Sequence, residues 1–517
     1  MRIADYFDKM AELAPDSEML VDGDVRLTYG QAQERVHAIA RALLAQPEFH
    51  KGSHVAIYAP NDYRVSILQL ALNRADMVWL SVHIRSALET NIECLRYLDC
   101  ECVFFHSQFE ADVPRLAEGL ALARKFICID SPSAHGPSLD RWVDGHAGEF
   151  KSDTESPLSP AFLQLTGGTT GPSKAATHTH HSLEATIITM YSSLDIGPQS
   201  RGLVAAPITH AAGLLMCAFF ARGAANVIHR GFEAGAVLAT IEKERISHLF
   251  LPPTALYALL DHPSRKDFDY SSLRALIVGA APTAPERFGE AIRIFGPVLY
   301  EVFGQVESLF PVLVKTPRDY VRADGTLDES VYSTTGRQTP LSRVKIMADD
   351  GALLAPGEIG EVVVQTSMLM SGYYKKPQET EDVRTFGWHH TGDIGVEDAR
   401  GFITIVDRKK DMIISGGFNI YPTEVEAAIL THPAILECAV VGVPDDKWGE
   451  AVTAIVACRK NARVTPEEIV ALCKQKLGSV KAPKSVEIWQ ELPHSAVGKI
   501  LKRDIRAGFW KGRDRVI

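Results

Sequence analysis

Phe162-Leu-Gln-Leu-Thr166-Gly167-Gly168-Thr169-Thr170-Gly171-Pro172-Ser173-Lys174 is the stretch on which the reading of this chain turns. An apolar, strand-like run opens into glycines and hydroxyl residues and closes on one lysine. That composition suits phosphate: glycines let the backbone approach a ligand, hydroxyls and amides donate to phosphoryl oxygens, and the lysine adds a point charge. The spacing is not that of a Walker A loop, because Pro172 and Ser173 separate Gly171 from Lys174. Taken alone, a Gly/Thr/Ser cluster is also what an ordinary loop looks like.

Working outward, the flanks alternate between strand and helix. Leu27 to Leu44 reads as Thr28 capping an amphipathic helix with Val36, Ile39, Ala40 and Leu43 on one face. Strands are expected at Val55–Ala59, Cys102–Phe105, Lys125–Ile129 and Phe162–Leu165, with a helix at Tyr63–Arg74. Beyond the loop come a helix from Leu183 to Leu194, a strand at Gly202–Pro207, and further alternation through Ile246–Leu251, Pro253–Leu260, Ala275–Val278, Pro285–Phe295 and Pro297–Tyr300. Such alternation argues for an α/β fold with largely parallel, doubly wound strands. Past about residue 310 the texture turns to β, with runs at 343–347, 360–365 and 402–406 that predict a small barrel or sheet. A last α/β unit follows the charge cluster Asp407-Arg408-Lys409-Lys410-Asp411: a helix from Pro422 to Leu430, strands at Ala439–Val443 and Val452–Ala457, a helix from Pro466 to Leu477, and a strand at Val486–Trp489.

The chain has 517 residues, too many for one core. Its 46% hydrophobic and 23% charged residues are those of an ordinary globular protein. The net charge of −10 offers no basic face for nucleic acid. The apolar run Ala211–Ala221 stops at Arg222, short of a membrane span, and Met1–Ala11 has no secretory apolar core, so a cytoplasmic protein is expected. Eight scattered cysteines form no disulfide framework. Cys100 and Cys102 lack CxxC geometry and read as core residues, and His178, His180 and His181 have no acidic or histidine companions to make a metal site.

Four motifs now stand in order: Thr166–Lys174; Phe303-Gly-Gln-Val-Glu307; Thr391-Gly-Asp393 with Asp407-Arg408; and Gly498-Lys499 within Pro493–Arg503. Together they resemble the acyl-adenylate-forming superfamily of acyl-CoA synthetases, aryl-CoA ligases, luciferases and peptide-synthetase adenylation domains. The resemblance covers essentially the whole chain and is closest to the CoA ligases. It implies a large N-terminal domain (1–407) of two doubly wound subdomains plus a small β-barrel-like one, a hinge at 408–410 about Lys410, and a small mobile α/β domain (411–517).

It also implies roles. Thr166, Gly167, Gly168, Thr169, Thr170, Gly171 and Lys174 wrap the ATP phosphates, and Ala280, Ala281, Pro282, Glu301, Val302, Phe303, Gly304 and Ile405 surround the nucleotide. Glu307, with Thr169, holds Mg²⁺. Asp393 accepts from the ribose hydroxyls, Arg408 lies by ribose and phosphate, and Lys499 reaches the reacting carboxylate and α-phosphate. His210 joins Lys499 and Glu307 among the catalytic residues. Ser415, Gly416, Gly417, Trp448 and Lys481 take CoA, while His210, Leu214, Gly279, Ala280, Ala281 and Gly304 line the acyl pocket. The implied reaction joins a carboxylate to ATP, giving acyl-AMP and pyrophosphate, and then CoA displaces AMP. Charge neutralisation and alignment are what such chemistry needs.

Departures temper the match. Val306 stands where the superfamily usually has threonine, and Ala175 where glycine is common, which predicts an active but slower enzyme. An arginine and an aromatic that relatives bring to CoA are replaced by Ala482 and Val480, leaving Lys481 or Lys484 for its phosphates. The pocket positions are small or apolar, and no carboxylate lies between Gly202 and Leu215 to pair an α-amino group. A hydrophobic carboxylic acid is therefore expected, as a small-molecule partner beside CoA, with a homodimer as a further option. The alternatives are an acyl-AMP ligase that loads a carrier protein, a luciferase-type oxygenase, and a non-catalytic binding protein.

Overall fold

The computed structural model describes residues 1–150, 156–166, 174–445, 447–460, 462–494 and 500–510. The loop positions Gly167, Gly168, Thr169, Thr170 and Gly171, and Lys499, lie outside them. The described residues pack as two compact units: one holds those up to 166, 174–343 and 365–383, the other 344–364 and those from 384 to 510.

The first unit contains two α/β sheets. A seven-stranded sheet runs in the order Gly372–Tyr373, Ala175–Thr179, Pro160–Leu165, Val78–Leu80, His54–Tyr58, Cys102–Phe105, Lys125–Cys128. From Pro160–Leu165 onward its neighbours are parallel, as the strand–helix alternation predicts. A nine-stranded sheet has a parallel centre of Glu18–Asp22, Ala225–Ile228, Arg201–Val204, His248–Leu251, Ala275–Val278 and Leu299–Phe303, with antiparallel strands at both edges. Leu20 pairs with Asn226 across the sequence, so the N-terminal hairpin completes a sheet built mostly by residues after 200. That hairpin carries no helix-period signal and is absent from the sequence reading.

One apolar core joins the two sheets through Trp79, Phe162, Ile187, Leu215, Phe219 and Ile277. The helix Tyr63–Arg74 is buried at every residue but Arg64, polar Ser66, Gln69 and Asn73 included, which marks an element packed on all sides. Thr28 caps the helix Tyr29–Leu44 as expected, its hydroxyl accepting from the Gln31 amide. His180 is not a strand neighbour of His178: Thr179 caps a helix that His180 begins, because its hydroxyl and that of Ser182 satisfy each other's backbone amides.

The second unit carries a four-stranded sheet, Ser342–Met347, Ile359–Thr366, His389–Glu397 and Ile403–Arg408, and a five-stranded sheet of Phe418–Ile420, Ile413–Ser415, Gly449–Cys458, Ile435–Asp445 and Ser485–Trp489. Helices Pro422–Leu430 and Pro466–Lys481 cover the five-stranded sheet over Val425, Ile429, Val440, Val452 and Ile469. The second of these helices has its break at Gly478, at φ 79°. A closing helix, Lys502–Phe509, went unread because its only buried residue is Ile505. No helix among the described residues is long and apolar enough to cross a membrane.

Burial holds several imidazoles neutral. His178, His248 and His389 are pushed down to about 4 and His210 to about 3, from 6.5, mainly by desolvation. His178 and His248 each turn Nε2 to a backbone carbonyl, of Val306 and Leu194 respectively. Below their ordinary pKa the unfolded chain binds protons at these rings that the folded chain refuses, so stability present above pH 6.5 is lost as pH falls toward the folded values. Urea midpoints should fall between about pH 7.5 and 5.5, by about 1 kcal/mol for each ring. A midpoint that is flat over that range contradicts the assignment of neutral buried rings.

Candidate active site

The glycine-rich stretch is a hairpin connection, not a strand-to-helix turn. Pro160–Leu165 and Ala175–Thr179 are antiparallel with Leu165 opposite Ala175, and the Thr166 amide donates to the Lys174 carbonyl at 2.8 Å. Thr166 and Lys174 are thus the two posts of the loop. Lys174 Nζ lies 2.6 Å from Glu379 Oε2 and 4.8 Å from the centroid of the Tyr373 ring. Tyr373 in turn donates its hydroxyl to Glu307 Oε1 at 2.7 Å, and burial followed by the Glu307 charge pushes its phenol well up. The structure therefore gathers the expected phosphate lysine and the expected metal carboxylate on either side of one tyrosine. Neither Tyr373 nor Glu379 was marked in the sequence reading. Their proximity comes from the pairing of Gly372–Tyr373 with Ala176 and Thr177, which no local pattern announces.

Val306 packs against Ala176, Met370 and Tyr373, while its carbonyl accepts from the His178 ring at 2.7 Å. Ala175 is fully buried in the core on the other face of its strand. Both departures are thus residues of apolar packing.

The remaining positions of this unit that are expected to meet the nucleotide sit at or near the carboxyl ends of the parallel strands, where α/β sheets offer their crevices. Ala280, Ala281 and Pro282 form an exposed turn after Ala275–Val278, with Ala280 held at φ 73°. Phe303 ends the strand Leu299–Phe303 and Gly304 follows it. Glu301 is engaged structurally: its carboxylate faces Lys315 Nζ at 2.6 Å and accepts from the Thr283 amide at 3.0 Å, deep in the protein. Val302 packs beside Gly279, where an added Cβ would stand 2.8 Å from Val302 Cγ2.

Among the acyl positions, Leu214 is buried on the helix Ala211–Phe220 and His210 precedes that helix. Asn61 accepts from the Ile208 amide, and Ser81 donates to the Thr209 carbonyl at 2.7 Å, fixing the chain before His210. His210 Nε2 meets His83 Nε2 at 2.9 Å, and its Nδ1 meets the Thr209 hydroxyl at 2.9 Å. His83 is a neighbour that sequence reasoning missed. Both rings are depressed by burial, so one neutral imidazole donates and the other accepts.

In the second unit, Asp393 lies opposite Arg408 in the strand register, and Arg408 Nε is 3.2 Å from Asp393 Oδ1. Asp393 is buried, its amide donating to Thr391 Oγ1, and Thr391 donates to the Val362 carbonyl at 2.6 Å. The Thr-Gly-Asp motif is therefore a rigid strand segment that presents one carboxylate beside one guanidinium. Ile405 is half-buried on the partner strand. Lys410 lies in a short turn, its ammonium pKa lowered by burial and by Arg408, and its carbonyl accepts from Arg506 at 3.4 Å. Ser415, Gly416, Gly417 and Phe418 form a tight hairpin whose two glycines have φ of 59° and 82°. The exposed Trp448 ring lies on it: a Cβ at Gly416 would stand 2.6 Å from Trp448 Cε3. Lys447 and Lys484 approach that ring to 4.8 and 5.8 Å. Lys481, in contrast, is paired with both oxygens of Glu424.

Comparison with known proteins agrees with this layout. The model for "AMP-binding enzyme" matches residues 7–374 and that for "AMP-binding enzyme C-terminal domain" matches 424–499. The medium/long-chain-fatty-acid–CoA ligase FadD8 of Mycobacterium tuberculosis is 40% identical over 362 residues, 69% of this chain and 62% of that protein. A feruloyl-CoA synthase of an Amycolatopsis species is 32% identical over 97% of this chain and 98% of its own length. The amide bond synthetase McbA of Marinactinospora thermotolerans superposes with a TM-score of 0.88 at 29% identity, covering 98% of this chain and all of that one.

Gly304 gives a direct test of how tightly the first half of the site is built. A Cβ there would stand 2.6 Å from Phe310 Cα and 2.7 Å from its nitrogen, and backbone has no rotamer to escape by. Gly304→Ala should cost about 1–3 kcal/mol in urea unfolding, whereas an unchanged midpoint means that the strand end yields freely.

Proposed function

We propose, for a chain that belongs to the AMP-binding enzyme family and is an AMP-forming acid–thiol ligase, that the acid is hydrophobic and lacks an α-amino group, and that the C-terminal part alternates about Lys410 between the two half-reactions. One observation supports the choice of acid: of the expected acyl positions, His210 is a neutral ring paired with neutral His83, Leu214 is buried, and Gly279 and Gly304 are close-packed. An ammonium placed there would meet no carboxylate from the 202–215 segment, and burying it unpaired costs several kcal/mol.

In the first half-reaction a carboxylate oxygen of the acid attacks the α-phosphorus of ATP and pyrophosphate leaves. Mg²⁺ arriving with ATP offsets phosphate charge, and a single half-buried carboxylate, Glu307, is a donor of the kind that ion takes alongside phosphate oxygens. Lys174 gives the phosphates a cation once it exchanges Glu379 for them. Asp393 accepts from the ribose hydroxyls, and Arg408, already at its side, faces the phosphate end. Lys499 offsets repulsion between the incoming carboxylate and the α-phosphate.

In the second half-reaction the CoA thiolate attacks the acyl carbon and AMP leaves. The exposed Trp448 indole with Lys447 and Lys484 near its ring suits an adenine and its phosphates, which favours free CoA over a carrier-bound pantetheine. Lys447 and Lys484 lie by the indole, and Lys481 joins them once it exchanges Glu424 for phosphate, as Lys174 exchanges Glu379.

A carboxylic-acid panel scored for CoA-dependent AMP release should rank aromatic, alicyclic or medium-chain acids above every free amino acid; an amino acid at the top refutes the reading of the pocket. Single-turnover rates should separate the two lysines. Lys499→Ala should slow adenylation by at least about a hundredfold and largely spare thioester formation from a supplied acyl-adenylate. Lys410→Pro, which restricts φ where a large rotation is needed, should do the reverse. Equal losses in both steps for both variants contradict alternation.

A further inference from the structure

A single run of contacts links Glu379, Lys174, Tyr373 and Glu307. Glu379 pairs with Lys376 at 2.7 Å through one oxygen and with Lys174 at 2.6 Å through the other. Lys174 stands over the face of Tyr373, whose hydroxyl donates to Glu307 at 2.7 Å. What distinguishes Tyr373 from its neighbours in this run is how firmly it is fixed. Its backbone is paired with Ala176, its amide donates to Thr380 Oγ1 at 2.8 Å, and its ring is 8% exposed against Ala176, Met370, Val306 and Val383. A short, charge-assisted hydrogen bond from an immobile donor fixes the plane of the acceptor carboxylate. It occupies one lone pair of Oε1 and leaves the other oxygen for a further ligand.

Glu307 lies in the bend after the strand Leu299–Phe303, and its side chain is otherwise a flexible arm. The backbone is pinned independently: the Met370 amide donates to the Glu307 carbonyl at 2.8 Å, and the Val306 carbonyl accepts from His178. With the main chain held, the carboxylate orientation is the remaining freedom, and Tyr373 removes it.

Resting on the reading that Glu307 and Lys174 serve MgATP, we propose that Tyr373 is the positioning residue of that half-site, its hydroxyl orienting the Glu307 carboxylate for the metal while its ring face guides the Lys174 ammonium. Tyr373→Phe separates the two functions, since it keeps the ring and deletes the hydroxyl. ATP binding to the full chain is measured by calorimetry over a Mg²⁺ series and again in excess chelator, for the wild type, Tyr373→Phe, Glu307→Ala and the double variant. Loss of the hydroxyl should raise the Mg²⁺ concentration for half-maximal ATP binding by roughly three- to tenfold. ATP affinity in chelator, and the rate of thioester formation from a supplied acyl-adenylate, should stay within about twofold of wild type. In the Glu307→Ala background the same change should have no further effect on the Mg²⁺ series, because the hydroxyl acts through that carboxylate. An equal shift in both backgrounds, or no shift in the single variant, overturns the role of Tyr373. A Glu307→Ala protein with an unaltered Mg²⁺ series instead overturns the assignment of Glu307, which is a separate failure. A structural role alone would weaken binding with and without Mg²⁺, and that outcome also counts against the proposal.

Discussion

The backbone pairing of the strand Ala175–Thr179 is the constraint on which the candidate site of the first unit depends. On one side it pairs antiparallel with Pro160–Leu165, which brings Thr166 and Lys174 together as the ends of the glycine-rich loop. On the other it pairs with Gly372–Tyr373, bringing Tyr373 and the following Glu379 to the lysine. From its middle, the His178 ring reaches the Val306 carbonyl and fixes the segment that presents Glu307. One short strand thereby gathers side chains from three distant stretches of sequence. Its two-sided packing explains why it can do so: Ala175 goes into the core of one face, while Ala176 packs with Met370 and Tyr373 on the other.

The electrostatics of the gathered groups follow from that geometry. Lys174 and Glu307 would both be awkward in a ligand-free protein, one a cation and the other a carboxylate awaiting partners of opposite charge. Each has an internal substitute: Glu379 for Lys174 and the Tyr373 hydroxyl for Glu307. The first is exchangeable, since an ion pair about a third exposed contributes little on its own, whereas the Tyr373 hydroxyl stays on Glu307 Oε1 and leaves Oε2 for a further ligand. The second unit uses the same device, with Arg408 held against Asp393 by strand register. The two pairs differ in exposure, since the Asp393 carboxylate is buried while Lys174 and Glu379 are each about a third exposed.

What was legible in the sequence is what is local. The helix Tyr63–Arg74, the strand Cys102–Phe105 and the helices Pro285–Phe295 and Pro422–Leu430 lie where periodicity, caps and N-terminal prolines put them. So do the loop posts and the Thr-Gly-Asp motif, because motifs are contiguous. Illegible were contacts made by register across long separations. The Glu18–Thr28 hairpin is too short to show a period, and its place beside Ala225–Ile228 is set by packing. The companions of the expected residues, His83 beside His210 and Tyr373 beside Glu307, were hidden for the same reason. Lys481 is a further case, since its partner Glu424 lies 57 residues away in sequence.

Val306 illustrates how such a departure is absorbed. Threonine there would offer one hydroxyl, and its loss forfeits a neutral hydrogen bond whose net contribution is about 0.5–1.5 kcal/mol. Valine replaces that hydroxyl with a methyl group on a half-buried side chain packed against Ala176, Met370 and Tyr373, and full burial of a methyl would return about 0.8 kcal/mol. The exchange is close to neutral for the fold, but the gain and the loss fall in different places. The lost bond is one that the superfamily resemblance assigns to the nucleotide, whereas the added packing lies against the Tyr373 ring. A catalytic segment with one fewer hydroxyl is compatible with an active site for this reason: the backbone at 306 is set by His178, and the neighbouring carboxylate is oriented from outside the motif.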